Sequence, residues 1–432
     1  MDRPGGLGTF GGVFTPSILT ILGVIMYLRL GWVVGNVGLG GTLHIVTIAT
    51  SSTSLTGLSV AAIATDQRVR VGGAYYMISR SLGLETGGAV GIPLFLAQGL
   101  SVALYTVGFA ESLVRVFPTL DARWTGIVTT LLVAGVALVS ARAAIRAQYL
   151  IMGAIALSLI SLLAGSPLEG PGVGPVMGLG GAPVPDAVPF WAVFAVFFPA
   201  VTGIMAGVGM SGDLEDAGKS LPRGTLAAIG VGFVIYMALP IILVFKAPAD
   251  ALVADPLVMR QVAFWGDAIL LGVWGATLSS AVGSILGAPR VLQALARDGV
   301  LPGPLKVFGR GSGENDEPRL GTLATLALAL AAVWLGDLNV IAPILTMFFL
   351  TTYGVVNIAA GLEKFLGSPS FRPRFKVPWI VSIAGAVGCV GVMFLINAVA
   401  TGVAFAVVLA IFLWLERQGL ESAFGDVRRG MW

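Results

Sequence analysis

Two apolar stretches combine proline, glycine and hydroxyl residues, and such stretches could bind ions. Residues 16–24 read PSILTILGV, and residues 197–207 read FFPAVTGIMAG. Proline and glycine can interrupt a helix, which frees carbonyl groups for cations and N–H groups for anions. One such stretch alone would more simply indicate a kink or close packing. Two matched stretches favour an ion site that needs no charged side chain.

Hydroxyl and ionisable residues lie in other apolar stretches. Residues 274–281, WGATLSSA, contain Ser279 and Ser280, whose oxygens suit a hard cation, although membrane serines often bond their own backbone. Tyr105 and Tyr353 each lie near the middle of an apolar run, where a phenol needs a partner. The remaining intramembrane candidates are Arg29, which we expect to snorkel or to pair within the bundle, and Glu111.

The composition excludes several classes of protein. The 432 residues are 56% hydrophobic and 11% charged, whereas soluble domains carry roughly 25% charged residues. One cysteine, one histidine and no HExxH motif argue against zinc or Cys/His catalysis, and we expect no enzyme and no cofactor. A net charge of +3 is too small to indicate nucleic-acid binding.

Apolar runs of membrane-spanning length must position these residues. A span needs roughly 20 residues, and the sequence predicts twelve of them, at 12–35, 40–64, 88–117, 124–140, 144–164, 189–212, 223–245, 265–288, 320–336, 340–362, 378–397 and 399–415. The breaks fall in spans one and six, as an inverted repeat of five helices would require. We therefore predict an all-α polytopic membrane protein.

The basic residues predict the orientation. With a cytoplasmic N-terminus, twenty Lys and Arg residues fall inside and four outside, and cytoplasmic loops are enriched in them. Both termini are predicted to be cytoplasmic, and the N-terminus has no cleavage site typical of a signal peptide. The predicted organisation is one transmembrane domain over 1–418, with repeats at 10–165 and 188–366, helices eleven and twelve at 376–416, and a short cytoplasmic tail at 419–432.

Several blocks of the sequence closely resemble the cation-chloride cotransporter family. They include GVIMYLRLGWVVGNVGL at 23–39, ALYTVGFAESL at 103–113, the segment 197–229, ATLSSAVGSILGAPRV at 276–291, and LNVIAPILTMFFLTTYGVVN at 338–357. The resemblance covers nearly the whole chain. It implies the amino acid-polyamine-organocation superfamily, with twelve helices in a LeuT-like 5+5 inverted repeat, discontinuous helices 1 and 6, and a homodimer in the cell membrane. It also implies transport of chloride with Na+, K+ or both.

The family's ion positions can be matched to this chain one at a time. The potassium site resembles Thr20, Ile21, Tyr105, Pro199 and Thr202, with Thr20 in place of the family's asparagine. One chloride site resembles the amides of Gly23, Val24 and Ile25, and the other resembles Gly203, Ile204 and Met205 closed by Tyr353. The sodium site of the Na+-dependent branch resembles Leu19, Leu22, Ala276, Ser279 and Ser280, without the family's tryptophan on span one. The long regulatory tails of animal members are missing, which is typical of a compact prokaryotic relative or a trimmed core.

The leading hypothesis is a Na+-coupled, chloride-linked symporter in the bilayer, with K+ given less weight because of Thr20. The alternative is a permease for an amino acid or another small organic solute. Amino acid members usually carry a Gly-Ser-Gly turn at the first break, which residues 19–23 lack. A channel is disfavoured because the sequence contains no filter motif.

Overall fold

The structure is a computed structural model that describes residues 6–66, 72–139, 141–168, 184–313, 316–367 and 371–418. The predicted tail 419–432 and most of the loop between spans five and six lie outside these residues. Within the described ranges the chain is helical and forms no β-strand, only two isolated β-bridges. The predicted all-α class is confirmed.

The described chain forms sixteen α-helices, joined in places by short 3-10 or π-helical turns. The helices α1 to α16 are, in order, Thr15–Ile21, Val24–Leu28, Leu30–Asp66, Ala74–Leu82, Leu84–Val116, Ala122–Val139, Ala141–Ala164, Phe190–Phe197, Ile204–Gly209, Ala217–Lys246, Ala249–Ala254, Val258–Val262, Gly266–Arg297, Arg319–Leu335, Leu338–Phe365 and Trp379–Arg417. A π-helix, Phe10–Phe14, precedes α1, and 3-10 helices lie at Phe198–Val201, Ser211–Asp213 and Gly303–Gly309.

The membrane spans follow the predicted order. In the described ranges, nine helices are long and apolar enough to cross a membrane, and the shorter Ala122–Leu138 and Arg319–Trp334 are also apolar. The last long helix, α16, is interrupted at Asn397, whose φ is −161° and whose side-chain oxygen accepts the Ala400 N–H at 2.9 Å. Predicted spans eleven and twelve meet at this interruption, and the total of twelve crossings stays a prediction.

The boundary between predicted spans one and two is a kink within a longer helix. Helix α3 runs from Leu30 to Asp66 and leaves helical geometry at Gly38, where φ is 69°. Glycine accepts this left-handed conformation without the steric cost of a Cβ atom. The hydropathy pattern therefore located this boundary, but it did not show that one helix continues through it. The short helices α4, α11 and α12 were not predicted.

Two long helices pack against the two predicted breaks. Helix α13 packs against α5 and α7 and also touches both α1 and α2, while α10 packs against α3 and α1. Asp216 begins α10 by accepting the Lys219 N–H at 3.1 Å, and Asp337 begins α15 by accepting the Asn339 N–H at 2.8 Å. Such caps satisfy N–H groups that have no helical partner. The apolar residues of this assembly form one buried core.

Candidate functional site at two broken helices

The first break lies between α1 and α2, as the sequence predicted. The N–H of Leu22 donates to the Ile18 carbonyl at 2.8 Å and ends α1, and α2 begins at Val24. Carbonyls from Leu19 onward therefore lose their helical donors, and the first N–H groups of α2 have no helical acceptor. Gly23 joins the halves, and a Cβ atom there would lie 2.8 Å from the Thr20 carbonyl oxygen.

The second break lies between α8 and α9. A 3-10 turn at Phe198–Val201 follows α8, and α9 begins at Ile204. The Pro199 carbonyl accepts both the N–H of Thr202, at 3.3 Å, and its hydroxyl, at 2.8 Å. The N–H of Met205 donates to the Thr202 carbonyl at 3.1 Å. The N–H groups of Gly203 and Ile204 are thus left without a helical acceptor at the start of α9.

The two breaks touch each other at glycines. A Cβ atom on Gly203 would lie 2.7 Å from the Ile21 nitrogen and 2.9 Å from the Ser17 carbonyl oxygen. A Cβ atom on Gly207, one turn later, would lie 2.8 Å from the Val13 carbonyl oxygen. Only glycine allows α9 to approach the backbone of α1 this closely. The freed groups of both breaks are therefore brought into one region of the molecule.

We expect Gly203→Ala to impair both folding and transport. The added methyl group would meet backbone atoms, which cannot rotate away, and overpacking of this kind costs about 1–3 kcal/mol. Thermal unfolding of the purified protein, together with isotope uptake into liposomes, measures both effects. Gly230→Ala is the matched control, because a Cβ atom there meets nothing within 4 Å. Equal behaviour of the two variants would contradict the close contact.

A central cavity lies beside the second break. Its volume is about 440 Å³, including the space at its open mouth. Of the predicted ion residues, it is lined by Thr20, Tyr105, Thr202, Gly203 and Met205. Tyr105 is 4% exposed, and its hydroxyl has no hydrogen-bond partner among the described residues. No charged side chain is found among the described residues that line the cavity.

Two potassium candidates have carbonyl groups that are already engaged. The Tyr236 hydroxyl donates to the Ile21 carbonyl at 2.6 Å, and the Pro199 carbonyl accepts Thr202 as described above. Neither residue lines the central cavity. The structure thus brings Thr20, Tyr105 and Thr202 together at the central cavity, whereas Ile21 and Pro199 do not line it.

The chloride candidates lie at two separate places in the structure. Tyr353 is fully buried, and its hydroxyl donates to the Thr202 carbonyl at 3.2 Å, next to the N-terminus of α9. The other group, Gly23, Val24 and Ile25, lies at the start of α2. Val24 packs onto Gly108 of α5, where there is no room for a Cβ atom. This group is outside the central cavity.

The sodium candidates on α13 belong to a helix that touches both halves of the first break, α1 and α2. The Tyr27 hydroxyl hydrogen-bonds the Ser158 hydroxyl at 2.6 Å. Both hydroxyls lie against Gly272, which precedes Ala276 by one turn of α13. Ser279 lines a largely apolar crevice together with Pro16 and Ala206. Ser280 is 2% exposed, and its hydroxyl is buried without a hydrogen-bond partner in the described chain. An unpaired buried hydroxyl costs free energy.

Arg29 and Glu111, the predicted intramembrane charges, form an ion pair within the bundle. Two nitrogens of Arg29 donate to the two carboxylate oxygens of Glu111, each at 2.9 Å, and a third donates to Asn339 at 2.9 Å. The cluster lines a wide vestibule of about 1540 Å³, counted with its open space. Beyond the opposite end of the cavity, Arg290 pairs with Asp213 at 2.5 Å.

Comparison with known proteins identifies the family. The profile of the amino acid permease family matches residues 12–426. The chain belongs to this family. Its members are membrane transporters, so the expectation that the chain is not an enzyme is confirmed, and the multi-pass membrane assignment is supported.

Named relatives agree with the family assignment. Solute carrier family 12 member 1 of Mus musculus is 34% identical, covering 97% of this chain and 44% of that protein. Solute carrier family 12 member 2 of Squalus acanthias is 34% identical, covering 97% and 40%. Member 1 of Homo sapiens is 33% identical, covering 98% and 44%. The resemblance to cation-chloride cotransporters is confirmed, and the chain spans less than half the length of these relatives.

Sequence reasoning missed several residues at the site of this permease-family chain. Gln98, Ser101 and Ser284 line the central cavity, and Tyr236 holds the first break. The spacing of Gln98, Ser101 and Tyr105, at i, i+3 and i+7 along one helix, would have placed them on one face. Tyr236 is a mid-span tyrosine, like the two that the sequence did single out.

Proposed function

We propose that the chain is a secondary active symporter that couples an alkali cation to chloride by alternating access. The observation that carries this proposal is the contact of two broken helices at Gly203, beside a cavity whose described lining residues carry no charge. Freed carbonyls can ligate the cation there, while freed N–H groups attract the anion. The similarity to solute carrier family 12 members supports the same conclusion.

Sodium is the cation that we propose for α13 and the first break. The ligands would be the carbonyls of Leu19, Leu22 and Ala276 and the hydroxyls of Ser279 and Ser280. The unpartnered, buried Ser280 hydroxyl supports this assignment, because a bound hard cation would satisfy its oxygen.

Potassium is a second candidate cargo, at Thr20, Tyr105 and Thr202, with Ile21 and Pro199 behind them. We expect Tyr105→Phe to lower rubidium uptake severalfold, because it removes a hydroxyl that faces the cavity without another partner. The measurement is uptake of rubidium-86 into liposomes. Tyr149→Phe, a change at an exposed tyrosine on α7, is the control. Undiminished rubidium uptake by Tyr105→Phe would remove Tyr105 from the potassium site.

Chloride is proposed to bind the amides at the two breaks. One site comprises Gly23, Val24 and Ile25, and the other comprises Gly203, Ile204 and Met205 with Tyr353. The buried Tyr353 hydroxyl beside the N-terminus of α9 supports the second site. The Tyr353 hydroxyl donates its one proton to the Thr202 carbonyl, so it would hold the start of α9 in place while the two N–H groups offer an anion two donors.

Alternating access requires barriers on both sides of the site. We propose that both termini are cytoplasmic, as the basic residues predict, that the chain resides in the plasma or inner membrane, and that it forms a homodimer. In this orientation, the Arg29–Glu111 pair closes the outer side and the Arg290–Asp213 pair closes the inner side. The Arg29–Glu111 pair joins the end of α2 to α5, and the Arg290–Asp213 pair joins α13 to the turn that follows α9. Opening one side of the site would therefore separate one pair.

An ion-replacement series tests the proposal. Purified protein in liposomes should take up chloride-36 faster with an inward sodium gradient, and replacement of Na+, K+ and Cl− one at a time should reveal the coupled ions. Cation-independent chloride uptake would contradict the symport. Thermal stabilisation by an amino acid but not by salts would favour the organic-solute permease, since a ligand stabilises the protein that binds it.

A further inference from the structure

A buried amide lies where the central cavity meets a second, smaller cavity. Gln98 on α5 lines both, together with Met205, Gly209 and Gly287. The smaller cavity, of about 230 Å³ with its open space, continues from there to Gly72, Gly73 and Arg290. Gln98 therefore occupies the junction between the proposed ion sites and the loop that follows α3.

The side-chain oxygen of Gln98 can accept hydrogen bonds that no described residue donates. Only 9% of the residue is exposed, and its Oε1 atom is buried without a hydrogen-bond partner in the described ranges. An unpaired buried amide oxygen is costly. A bound ligand that contacts this oxygen would offset that cost.

Small residues keep the space around Gln98 open. A Cβ atom on Gly287 would lie 3.3 Å from Oε1, whereas Cβ atoms on Gly209 and Gly283 would meet nothing within 4 Å. These glycines come from α9 and α13, on the walls opposite α5. No side chain from these three positions therefore occupies the space beside the amide.

Three of the hydroxyls around the cavity present oxygen lone pairs rather than protons. Ser101 donates its proton to the Ala97 carbonyl at 2.9 Å. Thr20 donates to the Pro16 carbonyl at 2.9 Å, and Thr202 donates to the Pro199 carbonyl at 2.8 Å. Because each proton is engaged by backbone, the oxygens can act toward the cavity only as acceptors. These three acceptors favour a cation over an anion in this part of the cavity.

We propose that Gln98 Oε1, with the hydroxyl oxygens of Ser101 and Ser284, forms a second alkali-cation site at the end of the central cavity that lies nearer the cytoplasm in the proposed orientation. Gln98 precedes Tyr105 by seven residues on the same helix face, a rise of about 10 Å. The site lies on the N-terminal side of α5, where the cation would leave toward Gly72 and Gly73. Arg290, which lines the exit, is already neutralised by Asp213 at 2.5 Å. This inference rests on the proposed cation transport.

Kinetics measured separately on the two membrane faces test the proposal. In oriented vesicles, Gln98→Leu should raise the half-saturating concentration of rubidium-86 or sodium-22 on the cytoplasmic face by at least about tenfold. The value for the outer face should stay within about twofold, because the ligands near Tyr105 are intact. Gln98→Glu, which keeps the acceptor oxygens, should not raise the cytoplasmic value. Gln148→Leu, in the separate apolar crevice, is the matched control.

Other outcomes decide against the inference or the proposed function separately. Unchanged cytoplasmic kinetics for both cations in Gln98→Leu, with intact wild-type symport, would overturn the second site and leave the symporter proposal standing. A rise in the chloride constant alone would show that the amide binds the anion through its NH2 group, which also overturns it. Wild-type protein that moves neither cation with chloride contradicts the symport itself. Binding of the same isotopes to purified wild type and Gln98→Leu then decides the site.

Ser284→Ala provides an independent variant if Gln98→Leu does not fold. It removes another proposed ligand from α13, and we expect the same face-specific loss, of about threefold to tenfold. Because the buried Gln98 Oε1 atom has no hydrogen-bond partner in the described chain, replacement of Gln98 by leucine should leave the melting temperature unchanged or higher. Wild-type cation kinetics in Ser284→Ala would exclude Ser284 from the site.

Discussion

Ser280→Ala is expected to weaken the sodium dependence of chloride uptake strongly while leaving the protein as stable as the wild type or more so. The hydroxyl is buried at 2% exposure and unpaired in the described chain. Its removal therefore breaks no hydrogen bond, and it relieves a buried polar group that costs about 1–3 kcal/mol. A residue retained only for packing would not show this combination of opposite effects.

Chloride-36 uptake at varied sodium concentration, together with thermal unfolding, measures both quantities. Loss of one hard oxygen ligand should raise the half-saturating sodium concentration at least about tenfold. Thr277→Val is the matched control on the same helix, since the Thr277 hydroxyl is already bonded to the Val273 carbonyl at 2.6 Å. Sodium dependence that survives in Ser280→Ala would remove Ser280 from the proposed site.

Glu111→Leu is expected to destabilise the protein by about 3–5 kcal/mol, because it leaves a buried guanidinium without its counterion. The Arg29 side chain is 7% exposed and the Glu111 side chain 23%. After the change, Arg29 would keep only Asn339 and the Leu28 carbonyl as partners. Replacement of both charges, in Arg29→Met with Glu111→Leu, should recover much of the lost stability, because no unpaired charge then remains.

The free energy of unfolding of the single and double variants tests this expectation. Asp267→Asn, which breaks the exposed pair with Arg260, is the control and should change stability by less than about 1 kcal/mol. Equal losses in Glu111→Leu and in the double variant would show that lost packing, rather than the unpaired charge, causes the destabilisation. In the proposed orientation, the double variant should also leak ions from the outer side.

Much of the architecture could be predicted because its signals are local. The breaks at residues 16–24 and 197–207 follow from proline and glycine within apolar runs, and both are present in the structure. Arg29 and Glu111 were singled out because isolated charge in a membrane is costly, but the sequence left snorkelling open for Arg29 and did not name Glu111 as its partner. The unpaired amide oxygen of Gln98 was missed because the sequence does not show which groups face a polar residue on an apolar helix.

The sequence by itself determined the membrane class, the order of the spans and the places where helices break. These properties depend on hydropathy and on backbone chemistry within a few residues. Only the tertiary structure decided which polar groups have a partner. The Ile21 carbonyl is engaged by Tyr236, 215 positions away, whereas the Ser280 hydroxyl and the Gln98 oxygen are buried without one in the described chain. The partner of a polar group comes from whichever helix packs beside it, and no local pattern specifies that helix.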